Sequence, residues 1–165
     1  MKEMGEFSLY SVFSFVFPFL LSGSQLFMGT MINMTLLGGA LYLKGKKLIP
    51  LIVLPSLGVL SRGIIFGPMT IFLVFMLPFI WIGNSILIFS VKLFHLKLKK
   101  SYVFSSVFGS GLKFAFLFSS ALVLYVLGII PAPFLIAMGL MQLITAVSAS
   151  LIVWPINKTR KKLKK

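Results

Sequence analysis

The sequence predicts an all-α, polytopic membrane protein with six transmembrane helices and both termini in the cytoplasm. Hydrophobic residues make up 59% of the 165, only 11% are charged, and the mean hydropathy is +1.08, which no soluble domain of this length shows. The apolar stretches approach the ~20 residues that cross a hydrocarbon layer of about 30 Å. Basic residues are gathered in short clusters between those stretches, the pattern that cytoplasmic retention of Lys and Arg produces.

The breaks between apolar stretches place spans near 7–22, 25–43, 48–66, 69–91, 102–128 and 134–156. Ser22-Gly23-Ser24 makes the first break and Lys44-Gly45-Lys46-Lys47 the second. Gly67-Pro68 makes the third, a basic loop from Lys92 to Lys100 the fourth, and Pro131-Ala132-Pro133 the fifth. The first and third spans are short or interrupted, by Pro50, Pro55 and Arg62 in the third, so either can tilt or re-enter. With an inward N-terminus, Lys2, three Lys of the second break, four of the fourth and six residues of the tail all face inward, 14 of the 16 basic residues. Residues 1–157 then form one six-span domain in the cell membrane, followed by a basic cytoplasmic tail at 158–165.

A net charge of +14 in a soluble chain would suggest nucleic acid, but here the charge sits in connections between membrane-length stretches, so no nucleic-acid partner is expected. The partner that composition demands is the lipid bilayer. With no Cys there is no disulfide or thiolate metal site, and a Lys-rich, Cys-free chain fits a bacterial plasma membrane. The N-terminus, Met-Lys-Glu-Met-Gly-Glu, leads into an apolar run without a small-residue cleavage pattern and does not read as a removable signal peptide. The only acids are Glu3 and Glu6. Clustered Asp, Glu or His for metal or acid-base work are therefore lacking, and no enzyme, metal site or cofactor is expected. No GxxxxGK[ST] loop is present, so any ATP hydrolysis belongs to a partner.

Lys113 is the most unusual residue. It falls about 16 Å past Tyr102 at 1.5 Å per residue, near the bilayer middle, where a charge costs about 2.5–3.5 kcal/mol. No carboxylate exists at its depth. Three solutions are open: the ammonium snorkels to the interface, an anionic ligand neutralises it, or another subunit supplies an acid. Gly109 and Gly111 offer a close approach for a neighbouring helix on that face. Asn33, Asn84, Gln142 and Thr145 are polar within spans, and each serves either as interhelical glue or as a ligand contact. Pro78, Trp81, Gly83 and Asn84 combine a helix-breaking residue, a gap and an indole away from the interfacial belt. Arg62 anchors to headgroups or draws anions into an outward cavity, and Gln25 opens the second span. These predict a cavity lined by some of Gln25, Asn33, Arg62, Trp81, Asn84, Gln142 and Thr145, with Lys113 as a further candidate. His95, in a Lys-rich loop, and Trp154, near the inner boundary, read as surface residues, while the Met and Phe residues read as core and lipid-facing filler.

Six short spans, Pro-Ser-Leu-Gly at 55–58, Pro-Phe-Ile-Trp-Ile-Gly-Asn at 78–84 and Gln-Leu-Ile-Thr-Ala at 142–146 resemble the substrate-binding S component of energy-coupling-factor vitamin transporters. The resemblance covers most of the chain and lies in its layout. It implies capture of a small micronutrient from outside and dependence on a transmembrane coupling subunit bearing two ATPases, with toppling of the S component during transport. Where that family carries an alanine pair spaced four apart in its first span, this chain has Ser8, Ser11 and Ser14 at spacing three. The competing readings are a membrane scaffold or assembly subunit, whose polar residues only hold helices together, and a holin-like pore former.

Overall fold

The computed structural model describes residues 2–20, 24–63 and 70–162, and every regular element among them is helical. They are α1 (Lys2–Leu20), α2 (Gln25–Tyr42), α3 (Ile49–Arg62), α4 (Thr70–Ser90), α5 (Tyr102–Val126), α6 (Pro133–Met138) and α7 (Leu140–Lys162). A 3-10 turn, Gly45–Leu48, leads into α3, and a π-helical segment, Val91–Lys97, extends α4. Serine hydroxyls cap two of the starts: Ser24 Oγ accepts from the Phe27 amide and Ser101 Oγ from the Phe104 amide. Gly63, at φ +66°, closes α3 in the left-handed conformation that a side chain would oppose.

Three helical stretches among the described residues are long and apolar enough to cross a membrane, Thr70–Lys97, Tyr102–Val126 and Pro133–Arg160, and Met4–Leu20 is a shorter apolar helix. Their outer faces stay apolar where no neighbour covers them. Ile71, Phe75 and Phe89 of α4, Val123 and Val126 of α5, and Leu151 and Ile156 of α7 are all exposed. Water would penalise such a surface and lipid does not.

The main packing pairs are α2 with α7, α1 with α3, α4 with α5, and α5 with α7. The start of α1 and the end of α7 meet at one end of the bundle, where the Arg160 guanidinium contacts the Glu6 carboxylate and stacks 3.9 Å over the Tyr42 ring. Lys92 Nζ donates to the Leu43 carbonyl at 2.6 Å, which brings the basic second and fourth connections to that same end. At the other end Arg62 Nη1 donates to the Phe19 carbonyl. Two apolar cores stack along the axis. Leu36, Leu37, Leu51, Leu87, Ile88 and Ala149 fill the basic end, and Leu73, Met76, Leu117, Phe134 and Met138 the other. Between them α2, α4, α5 and α7 each place one polar side chain, Asn33, Asn84, Lys113 and Thr145, all buried.

Several boundaries differ from the sequence reading. The basic stretch expected to be loop from Lys92 is helical to Lys97, because wider π-type turns carry α4 onward and the chain leaves the helix only at Leu98. The last predicted span is two helices broken at Gly139, whose missing side chain lets the backbone pass Phe118. A Cβ there would lie 2.8 Å from the Phe118 ring. The expected tail begins inside α7, which runs through Lys162, and 163–165 lie outside the described residues. Gly67-Pro68 and Ser22-Gly23 also fall outside them.

Candidate functional site

Lys113 sits on the face of α5 that turns into the bundle, and close helix approach fixes its surroundings. Gly109 lets α5 press on Ser90 of α4, Gly83 lets α4 press on Leu117, and Gly29 lets α2 press on Thr145 of α7. A Cβ on any of the three would come within 2.9 Å of its neighbour. Gly111, also expected at a contact, faces open space.

The Lys113 side chain is 1% exposed. Its ammonium donates to Asn33 Oδ1 at 2.8 Å and to Asn84 Oδ1 at 2.9 Å. Each amide is oriented from behind. Asn33 Nδ2 donates to the Gly29 carbonyl (2.9 Å) and to Thr145 Oγ1 (3.1 Å), and Asn84 Nδ2 donates to the Ile52 carbonyl (3.0 Å). Thr145 in turn donates to the Met141 carbonyl at 2.8 Å. Both amide oxygens are thereby held towards Lys113, so the flip of neither amide is free.

Snorkelling is therefore closed to Lys113, since its ammonium turns inward onto two amides rather than along the helix to an interface. Charge-assisted hydrogen bonds are worth about 1.5–3 kcal/mol each, enough to offset the insertion cost of about 2.5–3.5 kcal/mol in the folded bundle. They do not neutralise the charge. Among the chain's two acids, Glu6 pairs with Arg160 at the basic end, and Glu3 precedes it in the same helix.

A cavity of about 90 Å³ opens beside this network, running from Gln25 and Gln142 in the first turns of α2 and α7 down to Asn33, Asn84 and Lys113. Its walls are apolar, with Met28, Ile32, Val59, Leu73, Ile80 and Met138. The eight sequence candidates divide by position. Gln25, Asn33, Asn84, Lys113 and Gln142 line the cavity, whereas Thr145 and Trp81 stand one layer behind. Trp81 Nε1 donates to Ser56 Oγ at 2.8 Å, and it is Ser56 that reaches the wall. Arg62 is outside it: its guanidinium caps the α1 carbonyl of Phe19, a neutral partner at the end of the bundle, because a helix-terminal cation finds unpaired carbonyls close by.

Ser56, Pro55 and Gly29 were missed as wall residues. Ser56 lies in the Pro-Ser-Leu-Gly stretch at 55–58 already noted in the sequence, where it is the one side chain able to hydrogen-bond an indole. His95 Nδ1 lies 2.8 Å from the Lys100 carbonyl and edge-on to Tyr102, away from the cavity. No group of three or more His, Cys, Asp or Glu able to hold a metal occurs among the described residues.

No protein-family model matches the chain, and neither a curated protein nor a solved structure matches it. The functional reading therefore rests on the cavity and its chemistry.

Proposed function

We propose that this chain is the membrane-embedded, substrate-binding subunit of an importer of the energy-coupling-factor type, a six-span protein with cytoplasmic termini. In this role it takes a small micronutrient from outside and depends on a transmembrane coupling subunit and its ATPases for release inward. One observation carries the reading: a fully buried ammonium, without a carboxylate, forms the floor of a cavity. A cation needed only as glue has no reason to face empty space, where its third N–H lacks a partner among the described residues.

Length and charge support the six-span part. α1 and α2, with 19 and 18 residues, measure about 28.5 and 27 Å, and the turn at Gly45–Leu48 lengthens the approach to α3. With the basic end in the cytoplasm, Gln25 and Gln142 at the cavity rim face outward.

The scaffold reading draws on the same hydrogen bonds, because Lys113 ties α5 to α2 and α4. Extraction of the protein purified in mild detergent, followed by small-molecule mass spectrometry, separates the two. The importer subunit should release one compound in near-stoichiometric amount. A scaffold releases lipid and detergent alone, and that result would remove the binding function.

A further inference from the structure

We infer that the cavity selects a small organic monoanion of about eight or nine non-hydrogen atoms in all, a carboxylate-type head on an apolar body. The inference rests on the binding reading above and names the chemical class of its ligand.

Charge balance sets the valence. The floor carries one ammonium and two amide oxygens fixed as acceptors, so the site holds one positive charge and no negative one. Among the described lining residues Lys113 is the only ionisable side chain. With the ammonium held in its charged form by two amide acceptors, a neutral ligand leaves that charge uncompensated in a low-dielectric layer and a dianion leaves a second charge unmet, whereas a monoanion makes the occupied site neutral. Donor count agrees. Lys113 offers three N–H groups, of which Asn33 and Asn84 take two. The third is left for an anionic oxygen.

Volume and wall chemistry set the body. About 90 Å³ accommodates on the order of six to nine water-sized groups. Between floor and rim the lining is Met28, Ile32, Val59, Leu73, Ile80 and Met138, which favours hydrocarbon over a second polar head. The side chains of Gln25 and Gln142 make no hydrogen bond among the described residues and stand at the rim, where the far end of a ligand meets them. From Gln25 to Asn33 is about 12 Å along α2, so an extended six-carbon acid reaches from floor towards rim.

The test uses the full chain in phosphatidylcholine nanodiscs, with thermal stability read against hexanoate, benzoate, their neutral amides hexanamide and benzamide, the dianion adipate, and palmitate. Hexanoate or benzoate should stabilise the protein, with the matching amide about ten- to hundredfold weaker, the loss expected for one charge-assisted contact. Lys113→Gln should erase the preference of acid over amide. The wild-type acid-to-amide ratio stands even if that variant fails to fold. Equal binding of acid and amide, or tighter binding of adipate or palmitate, overturns the inference while leaving a binding protein. If no probe binds, the molecule extracted from the purified protein decides: a small monoanion upholds the inference, and a neutral or multiply charged compound refutes it alone. No compound at all refutes the binding reading with it.

Discussion

Lys113 Nζ and Asn84 Oδ1 lie 2.9 Å apart, on helices that Gly83 and Gly109 allow to pack closely, and Asn33 closes the other side at 2.8 Å. A buried cation is thus held by two neutral dipoles, each braced by a backbone carbonyl. Such a network is costly to break in part and cheap to remove whole.

Lys113→Met should therefore destabilise the protein by about 1–3 kcal/mol, because two amide oxygens are stranded in an apolar layer. The triple variant Asn33→Leu, Lys113→Met, Asn84→Leu should recover most of that loss. Thermal unfolding in nanodiscs checks both. A triple variant less stable than the single one would show that the polar layer is needed for folding itself.

Gly29→Leu should separate α2 from α7, since even a Cβ at this position lies 2.9 Å from Thr145 Cγ2. Overpacking of this kind costs about 1–3 kcal/mol and takes with it the Asn33–Thr145 hydrogen bond. Gly111→Ala, inside α5 and facing open space, should cost nothing and stabilise the helix by up to about 1 kcal/mol.

How much of this arrangement was legible in the sequence depends on contrast. Asn33, Asn84 and Lys113 stand out because each interrupts an apolar helix, but two amides of the same chain were not among the partners foreseen for Lys113, since residue spacing gives depth along a helix and not which helix faces meet. Arg62 was left open between a headgroup anchor and an attractor of anions, because a cation at a helix end looks the same in sequence whether it faces a cavity, a headgroup or, as here, the Phe19 carbonyl. The break at Gly139 was hidden, since glycine inside an apolar run is common in membrane helices and only its packing against Phe118 gives it meaning. The Glu6–Arg160 pair, 154 residues apart, had no local signal.

That pair is partly exposed, at 32% and 23%, so its contribution is small, about 0.2–1 kcal/mol, and salt-sensitive. Arg160→Glu should lower the melting temperature slightly at low salt, and Glu6→Arg combined with Arg160→Glu should restore it. A loss unaffected by salt would assign the effect to the Tyr42 stacking instead.

The absence of Cys makes orientation directly measurable. Lys99→Cys should react with a membrane-impermeant maleimide only after the cells are opened, and Ala132→Cys, at an exposed position of the opposite end, should react in intact cells. The reverse labelling would invert the topology and turn the cavity rim inward.

Arg62→Gln should leave ligand binding unchanged, because the guanidinium meets the Phe19 carbonyl and not the cavity. A binding defect in this variant, measured by the mass-spectrometric extraction, would return Arg62 to the site.

The central claim, that Lys113 forms the floor of an occupied ligand site, is tested most directly by an experimental density map of the wild-type protein purified in mild detergent. The account predicts non-protein density in the cavity about 2.7–3.0 Å from Lys113 Nζ, with Asn33 and Asn84 still on its other two donors. A cavity closed by its own side chains, or a Lys113 turned out to lipid, would contradict it.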